Sequence, residues 1–131
     1  MSQENVEVVR RIFDGWSQGD FSVGRDLMTA DFEWQQQAEA VEPGSRRGAA
    51  IGAAFRNLFE VWESYRIVPD RYLDAGDKVV VFAHNRATAR GSGMKLDQPF
   101  AYVWTVRAGK LARVEIYGNE REALEAVGLR E

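Results

Sequence analysis

Apolar positions near the start of the chain recur at helical spacing. Val6, Val9, Phe13 and Trp16 stand three, four and three residues apart, one stripe of a 3.6-residue period. Ser2 is placed to cap this helix, with Glu4 near the positive end of its dipole. Gly19 marks a left-handed stop, and Asp20 follows in a turn. A short second helix is predicted over 23–28, with Ser22 as its cap. Phe32, Glu33, Trp34, Gln35 and Gln36 then alternate apolar with polar, as a first strand does. Residues 38–47 contain Pro43, Gly44, Ser45 and two arginines, have no period, and read as a loop. A third helix starts near Gly48, where Ile51, Phe55, Leu58, Phe59 and Trp62 make a wide apolar face. Gly52 inside it costs about 1 kcal/mol relative to alanine unless close packing requires it.

From Tyr65 onward the period changes to two. A strand over 65–73 is interrupted at Pro69, which suggests an edge position or a bulge. Residues 74–77 make a hairpin turn, 78–90 a long strand, 91–93 a turn, 95–107 the next strand, and 108–109 another hairpin into a last strand over 110–117. Asn119 and Glu122 form a capping box before a final helix over 120–127, ended by Gly128. Helices segregated from a four-strand antiparallel meander mean an α+β fold. A long curved sheet wrapped around N-terminal helices with large aromatic faces encloses a conical cavity, the default place for a ligand.

Composition narrows the chemistry. The 131 residues suffice for one core, so a single domain over 1–131 is expected. A net charge of −3 gives no electrostatic footprint for nucleic acid or for an anionic membrane. With no cysteine and one histidine, thiolate chemistry and multi-histidine metal sites are excluded, and neither metal nor cofactor is expected. The first five residues are polar and acidic, unlike a secretory signal, and no 18-residue apolar run exists to span a bilayer. A cytoplasmic protein is expected.

Several segments together resemble a known family. They are 16–20 (Trp-Ser-Gln-Gly-Asp), 30–34 (Ala-Asp-Phe-Glu-Trp), 65–67, 74–81, 90–93, 100–106 (Phe-Ala-Tyr-Val-Trp-Thr-Val), 115–117 and 122–124. The chain resembles, over nearly its whole length, the SnoaL-like branch of the nuclear-transport-factor-2-like superfamily, the cystatin-like α+β cone. That resemblance implies fold more than function, because the superfamily hosts isomerases, cyclases, epoxide hydrolases, dehydratases and proteins without chemistry. It also implies a homodimer, paired through the outer face of the sheet.

Alternation sorts the strands into faces. Val79, Val81, Ala83, Asn85, Ala87 and Ala89 are read inward, and Val80, Phe82, His84, Arg86, Thr88 and Arg90 outward. Phe32, Trp34 and Gln36 point in, as do Ala112, Val114 and Ile116, while Arg113, Glu115 and Tyr117 point out. Resemblance adds Gln98, Phe100, Tyr102, Trp104 and Val106 to the inner face. The pocket is then lined by Phe13, Trp16, Trp34, Phe55, Phe59, Trp62, Val81, Phe100, Trp104, Val114 and Ile116, with Gln36, Asn85, Gln98 and Tyr102 as its polar groups. This suits a small apolar, cyclic ligand steered by one or two hydrogen bonds. The same aromatics would otherwise simply fill a core.

The acids and bases of better-known relatives are missing. Where epoxide hydrolases of this fold carry inward Asp, Arg and Asp with Tyr and Asn on the first strand, the matching places hold Asn85, Ala83, Ile116, Trp34 and Gln36. Where ketosteroid isomerases place their base and tyrosine, this chain has Gln36 or Gln37 and Ile12, and an amide abstracts no proton. The acidic position of the SnoaL-type cyclases again falls on Ile116. His84 is the one side chain that titrates near neutrality unaided. Alternation turns it outward, beside Arg86 and within expected cross-strand reach of Arg113 or Glu115, as in a charge ladder at a dimer surface. A one-residue slip would turn His84 and Glu115 inward together as an acid–base pair. Arg46 and Arg47 could clamp an anionic group at the pocket mouth or simply be solvated. The sequence thus reads as a small-hydrophobic-metabolite binder without clear catalytic carboxylates. The alternative is a cofactor-independent isomerase, polyketide cyclase or hydrolase acting on a small cyclic substrate.

Overall fold

A computed structural model describes residues 2–36, 44–47 and 49–129. The elements are α1 (Ser2–Trp16), a 3-10 turn (Arg25–Leu27), β1 (Met28–Gln36), β2 (Gly44–Arg47), α2 (Ala49–Val61), β3 (Trp62–Ala75), β4 (Lys78–Ala89), β5 (Lys95–Arg107), β6 (Lys110–Tyr117) and α3 (Glu120–Ala126). They form an α+β fold around one curved, unclosed six-stranded sheet in the order β2-β1-β6-β5-β4-β3. β3 to β6 are the antiparallel meander, and β1 joins it parallel to β6.

The first helix ends where expected. Gly19 sits at φ 85° and its N–H bonds to the Trp16 carbonyl at 3.1 Å. Ser2 is itself the first helical residue rather than a cap outside the helix. The predicted helix over 23–28 is only a 3-10 turn. Gly24 at φ 108° cannot continue a helix, and Ser22 does not cap it. Instead the Ser22 hydroxyl and N–H both donate to Asp20 Oδ1, at 2.5 and 3.1 Å, closing a tight local turn. Gly24 also lets this turn approach α1, since a Cβ there would lie 2.6 Å from Ile12 Cγ1.

Part of the predicted loop over 38–47 is ordered as β2, which pairs antiparallel with β1 through Trp34–Arg46 and its neighbours. Four residues are too few to show alternation. Residues 38–43, like Gly48, lie outside the described set. The third helix stops at Val61, and Trp62 opens β3 instead of extending the helical face. The end is held by Arg90, just past β4: its N–H donates to the Val61 carbonyl at 3.0 Å, and its Nε to the Phe59 carbonyl at 2.8 Å, which satisfies two terminal acceptors. Pro69 lies on an edge strand and at a bulge, as its lack of an N–H demands.

The inner face of the sheet carries the main core, with Val9, Ile12, Phe13 and Trp16 of α1 packed against Val79, Val81, Tyr102, Trp104 and Val114. A bulge in the β5–β6 ladder moves pairing from Thr105–Arg113 to Val106–Leu111. That skip reverses the phase at the start of β6, so Leu111 is buried in the core where Ala112 was expected. The outer face is also covered in part. Val80, Phe82, Ala101 and Val103 pack beneath Ala123 and Leu124 of α3. Asn119 caps that helix by accepting from Glu122 N–H at 2.9 Å. Among the described residues, no helix is long and apolar enough to cross a membrane.

Candidate functional site

Between α2 and the curved inner face lies a hollow of about 440 Å³. Its floor is period-two sheet: Trp34 and Gln36 from β1, Tyr65 and Ile67 from β3, Asn85 from β4, Leu96, Phe100 and Tyr102 from β5, and Ile116 from β6. Its roof is the helical stripe Ile51, Ala54, Phe55, Leu58 with Val61. Arg46, Asn57 and Glu60 add polar groups, of which Asn57 and Glu60 are exposed. The lining is mostly apolar with few convergent polar groups, as in pockets for small organic molecules.

The inner polar groups form one chain. Tyr102 is fully buried, and its hydroxyl donates to Asn85 Oδ1 at 2.8 Å. Asn85 Nδ2 donates to the Tyr65 hydroxyl oxygen, also at 2.8 Å. Every bond points toward Tyr65, whose own proton has no acceptor among the described residues. Burial raises both phenols, Tyr102 well above the ordinary tyrosine value, so each stays a neutral donor over the working pH range. Successive donation polarises the last member, and Tyr65 presents a strengthened O–H to the hollow. A second polar spot lies on β1 and β2, where Arg46 Nη1 donates to Gln36 Oε1 at 3.2 Å.

Of the residues expected to bind a ligand, the structure brings together Trp34, Gln36, Trp62, Asn85, Phe100, Tyr102 and Ile116. Three lie elsewhere. Trp104 is in the closed core beneath the hollow, and Trp16, its ring centroid 5.7 Å from that of Trp104, lines a second hollow instead. Phe59 turns toward Phe21, at 5.9 Å. Among the other inward expectations, Gln98 faces Asn85 across the ladder but is exposed and outside the lining. Tyr65 is the main residue that sequence reasoning missed. It shares a β3 face with Ile67, which pairs with Asn85, so alternation carried one strand further would have found it.

His84 and Glu115 both project from the outer face and are not brought together. His84 pairs with Val68 and Pro99, and Glu115 with Val103 and Gln35. With β5 between them and a stagger of four positions on it, their backbones stand roughly 16 Å apart by ordinary strand spacing. The neighbours expected for His84 are therefore corrected: Nδ1 meets Asp97 at 2.8 Å and Nε2 meets Asp70 at 3.2 Å. Glu115 belongs to a separate ladder, 3.5 Å from Arg113 and accepting from the Tyr117 hydroxyl at 3.1 Å. Arg113 also bonds Gln35 and reaches Glu33. Among the described residues, no three His, Cys, Asp or Glu side chains gather where they could hold a metal ion.

All four tyrosines are shifted in the same direction. Burial pushes Tyr72 up to about 12. Burial and the Glu115 carboxylate push Tyr117 up to about 12. The folded state thus prefers the neutral phenol. Stability from this source is complete below pH 10 and is lost as pH climbs toward 12. Absorbance at 295 nm, followed with circular dichroism, should show tyrosinate appearing only above the free-tyrosine range, together with loss of structure. Ionisation at pH 10 with the fold intact would contradict the burial assigned to these rings.

Comparison places this geometry among known proteins. A family model described as a SnoaL-like domain matches residues 9–114. A comparison with curated proteins finds no match. Among solved structures, an NTF2-like protein from Burkholderia thailandensis is 27% identical with a TM-score of 0.76, covering 86% of this chain and 88% of that one. TerC, co-crystallised with polyporic acid, is 24% identical with a TM-score of 0.75, covering 95% and 98%. Bal32a, from a soil-derived mobile gene cassette, is 21% identical with a TM-score of 0.77, covering 96% and 97%.

Proposed function

This chain belongs to the SnoaL-like domain family, and from that premise we propose that it binds a small, mostly apolar, ring-bearing metabolite through one carbonyl or hydroxyl oxygen. The observation that carries the reading is the directed chain from Tyr102 through Asn85 to Tyr65, ending in a donor that the protein leaves without an acceptor among the described residues. An isolated donor in an apolar hollow costs free energy when empty and recovers it when an acceptor arrives. The aromatic walls, Trp34, Phe55, Trp62 and Phe100, supply most of the affinity by burying ring surface.

A titration with neutral ring ketones such as 1-tetralone, followed by tryptophan fluorescence and by thermal melting, tests this. Saturable binding with a raised Tm is expected, and Tyr65→Phe should weaken it roughly tenfold, the worth of about one hydrogen bond. A panel of ring ketones and phenols that all fail to bind, or that bind Tyr65→Phe equally well, would remove the proposal.

Turnover, as an isomerase, cyclase or hydrolase of a small cyclic substrate, is the second reading. Glu60 favours it, as the one carboxylate among the described residues lining the hollow. It stands exposed on α2, where it could exchange a proton with solvent. Under that reading Glu60→Gln abolishes product formation while leaving ketone binding intact.

A further inference from the structure

A second hollow, of about 480 Å³, lies on the other side of α2. It shares only Ile51 and Phe55 with the first. We infer that it is a separate binding site for a small aromatic anion, an aryl carboxylate or similar, and not an extension of the hollow that holds Tyr65.

The lining carries the inference. Trp16, Phe21, Phe32 and Phe55 form its apolar wall. Phe21 and Phe55 stack at 5.1 Å with planes 23° apart, which fixes both rings in place and gives the hollow a firm aromatic side against which a further ring can pack. Two arginines line the same hollow from different elements, Arg25 from the 3-10 turn and Arg56 from α2. Both are exposed, and among the described residues neither has an ion-pair partner. Among the described residues, no Asp or Glu lines this hollow. The molecule carries a net charge of −3, so an unopposed pair of arginines is a local feature against the overall sign. At ordinary ionic strength the screening length is about 10 Å, so the pair and not the net charge governs an anion inside the hollow.

Gly52 fits the same account. It sits within α2, where glycine weakens a helix, and its backbone has no conformation that demands glycine. Close packing does not demand it either, since a Cβ there would meet only Arg56 Nη1, at 3.5 Å. What its missing side chain does is keep the wall open and leave Arg56 lying across it. The site therefore combines an aromatic wall for the ring with two arginines for the carboxylate, the group that a guanidinium recognises best.

Calorimetric titration with 2-naphthoate and with its neutral counterpart 2-naphthalenemethanol tests the inference on the intact protein. The anion is expected to bind about tenfold more tightly than the alcohol, and less tightly as salt is raised. Arg25→Gln and Arg56→Gln should each weaken naphthoate roughly five- to tenfold and leave the alcohol unchanged. Gly52→Leu should fill the wall and lower naphthoate affinity without lowering the Tm. Both arginines are exposed, so their variants keep the test valid should Gly52→Leu fail to fold. Tyr65→Phe, which alters only the other hollow, should leave naphthoate binding as it is. No naphthoate binding at millimolar concentration, equal affinity for acid and alcohol, or a loss with Tyr65→Phe but not with the arginine variants would each overturn the inference.

Discussion

Replacing Trp104 by alanine is expected to cost about 3–5 kcal/mol, the largest loss available from one side chain here. Trp104 is fully buried in the second half of β5. Its ring lies 6.0 Å from Phe13, 5.7 Å from Trp16 and 6.2 Å from Phe32, so it ties α1 to β1 through the sheet. None of these neighbours can collapse into the vacated space without giving up its own edge contacts. Against a total of about 5–15 kcal/mol for a folded domain, such a loss brings the protein close to unfolding. Urea denaturation should show a large fall in midpoint with little change in slope. A loss below about 1 kcal/mol would mean that the core around α1 is not packed as described.

The second large effect is at Asn85. Asn85→Leu keeps the branched shape, though with bulkier methyls, and removes both the acceptor of the Tyr102 proton and the donor to Tyr65. Tyr102 then holds a buried hydroxyl with no partner, at a cost of about 1–3 kcal/mol. Adding Tyr102→Phe should restore much of that stability, because removing both partners of a buried bond costs far less than removing one. Ketone affinity should stay below the wild-type value in the double variant, by no more than the tenfold expected for Tyr65→Phe, since nothing then polarises Tyr65. Denaturation and ligand titration on the three proteins separate these outcomes. Independent, additive losses would show that the three side chains do not act as one network.

The meander was legible because alternation over 8 to 14 residues is a strong signal, and β5 and β6 begin and end where the pattern said. What failed was local and short. Four residues of β2 carry too little pattern to stand out from a loop, and the 3-10 turn at Arg25–Leu27 was hidden by Ser22, which bonds back to Asp20 instead of forward into a helix. The bulge that buries Leu111 comes from one extra residue in β6, Ala112, which shows in the pairing and not in the alternation. For the site, Trp34, Gln36 and Asn85 followed from strand phase, and Tyr102 from strand phase together with the family resemblance. Trp104, beneath this hollow, and Trp16, beside the second one, did not separate from them, because aromatics that pack under a cavity, line it or line another have the same period. Tyr65 was passed over because β3 was not sorted into faces, although Asn85 pairs with its neighbour Ile67.

The placement of β3 bears on how this protein behaves when crowded. β3 is long, ends the sheet, and so offers a row of backbone groups to any strand that drifts alongside. Pro69 withholds one donor, the bulge between Pro69 and Arg71 breaks the straight run, and Glu63, Arg66, Asp70 and Arg71 stand exposed along it. A would-be template is thereby spoiled at its middle. Concentrated solutions should resist seeding into fibrils, and a straightened, uncharged version of this margin would be where polymerisation begins.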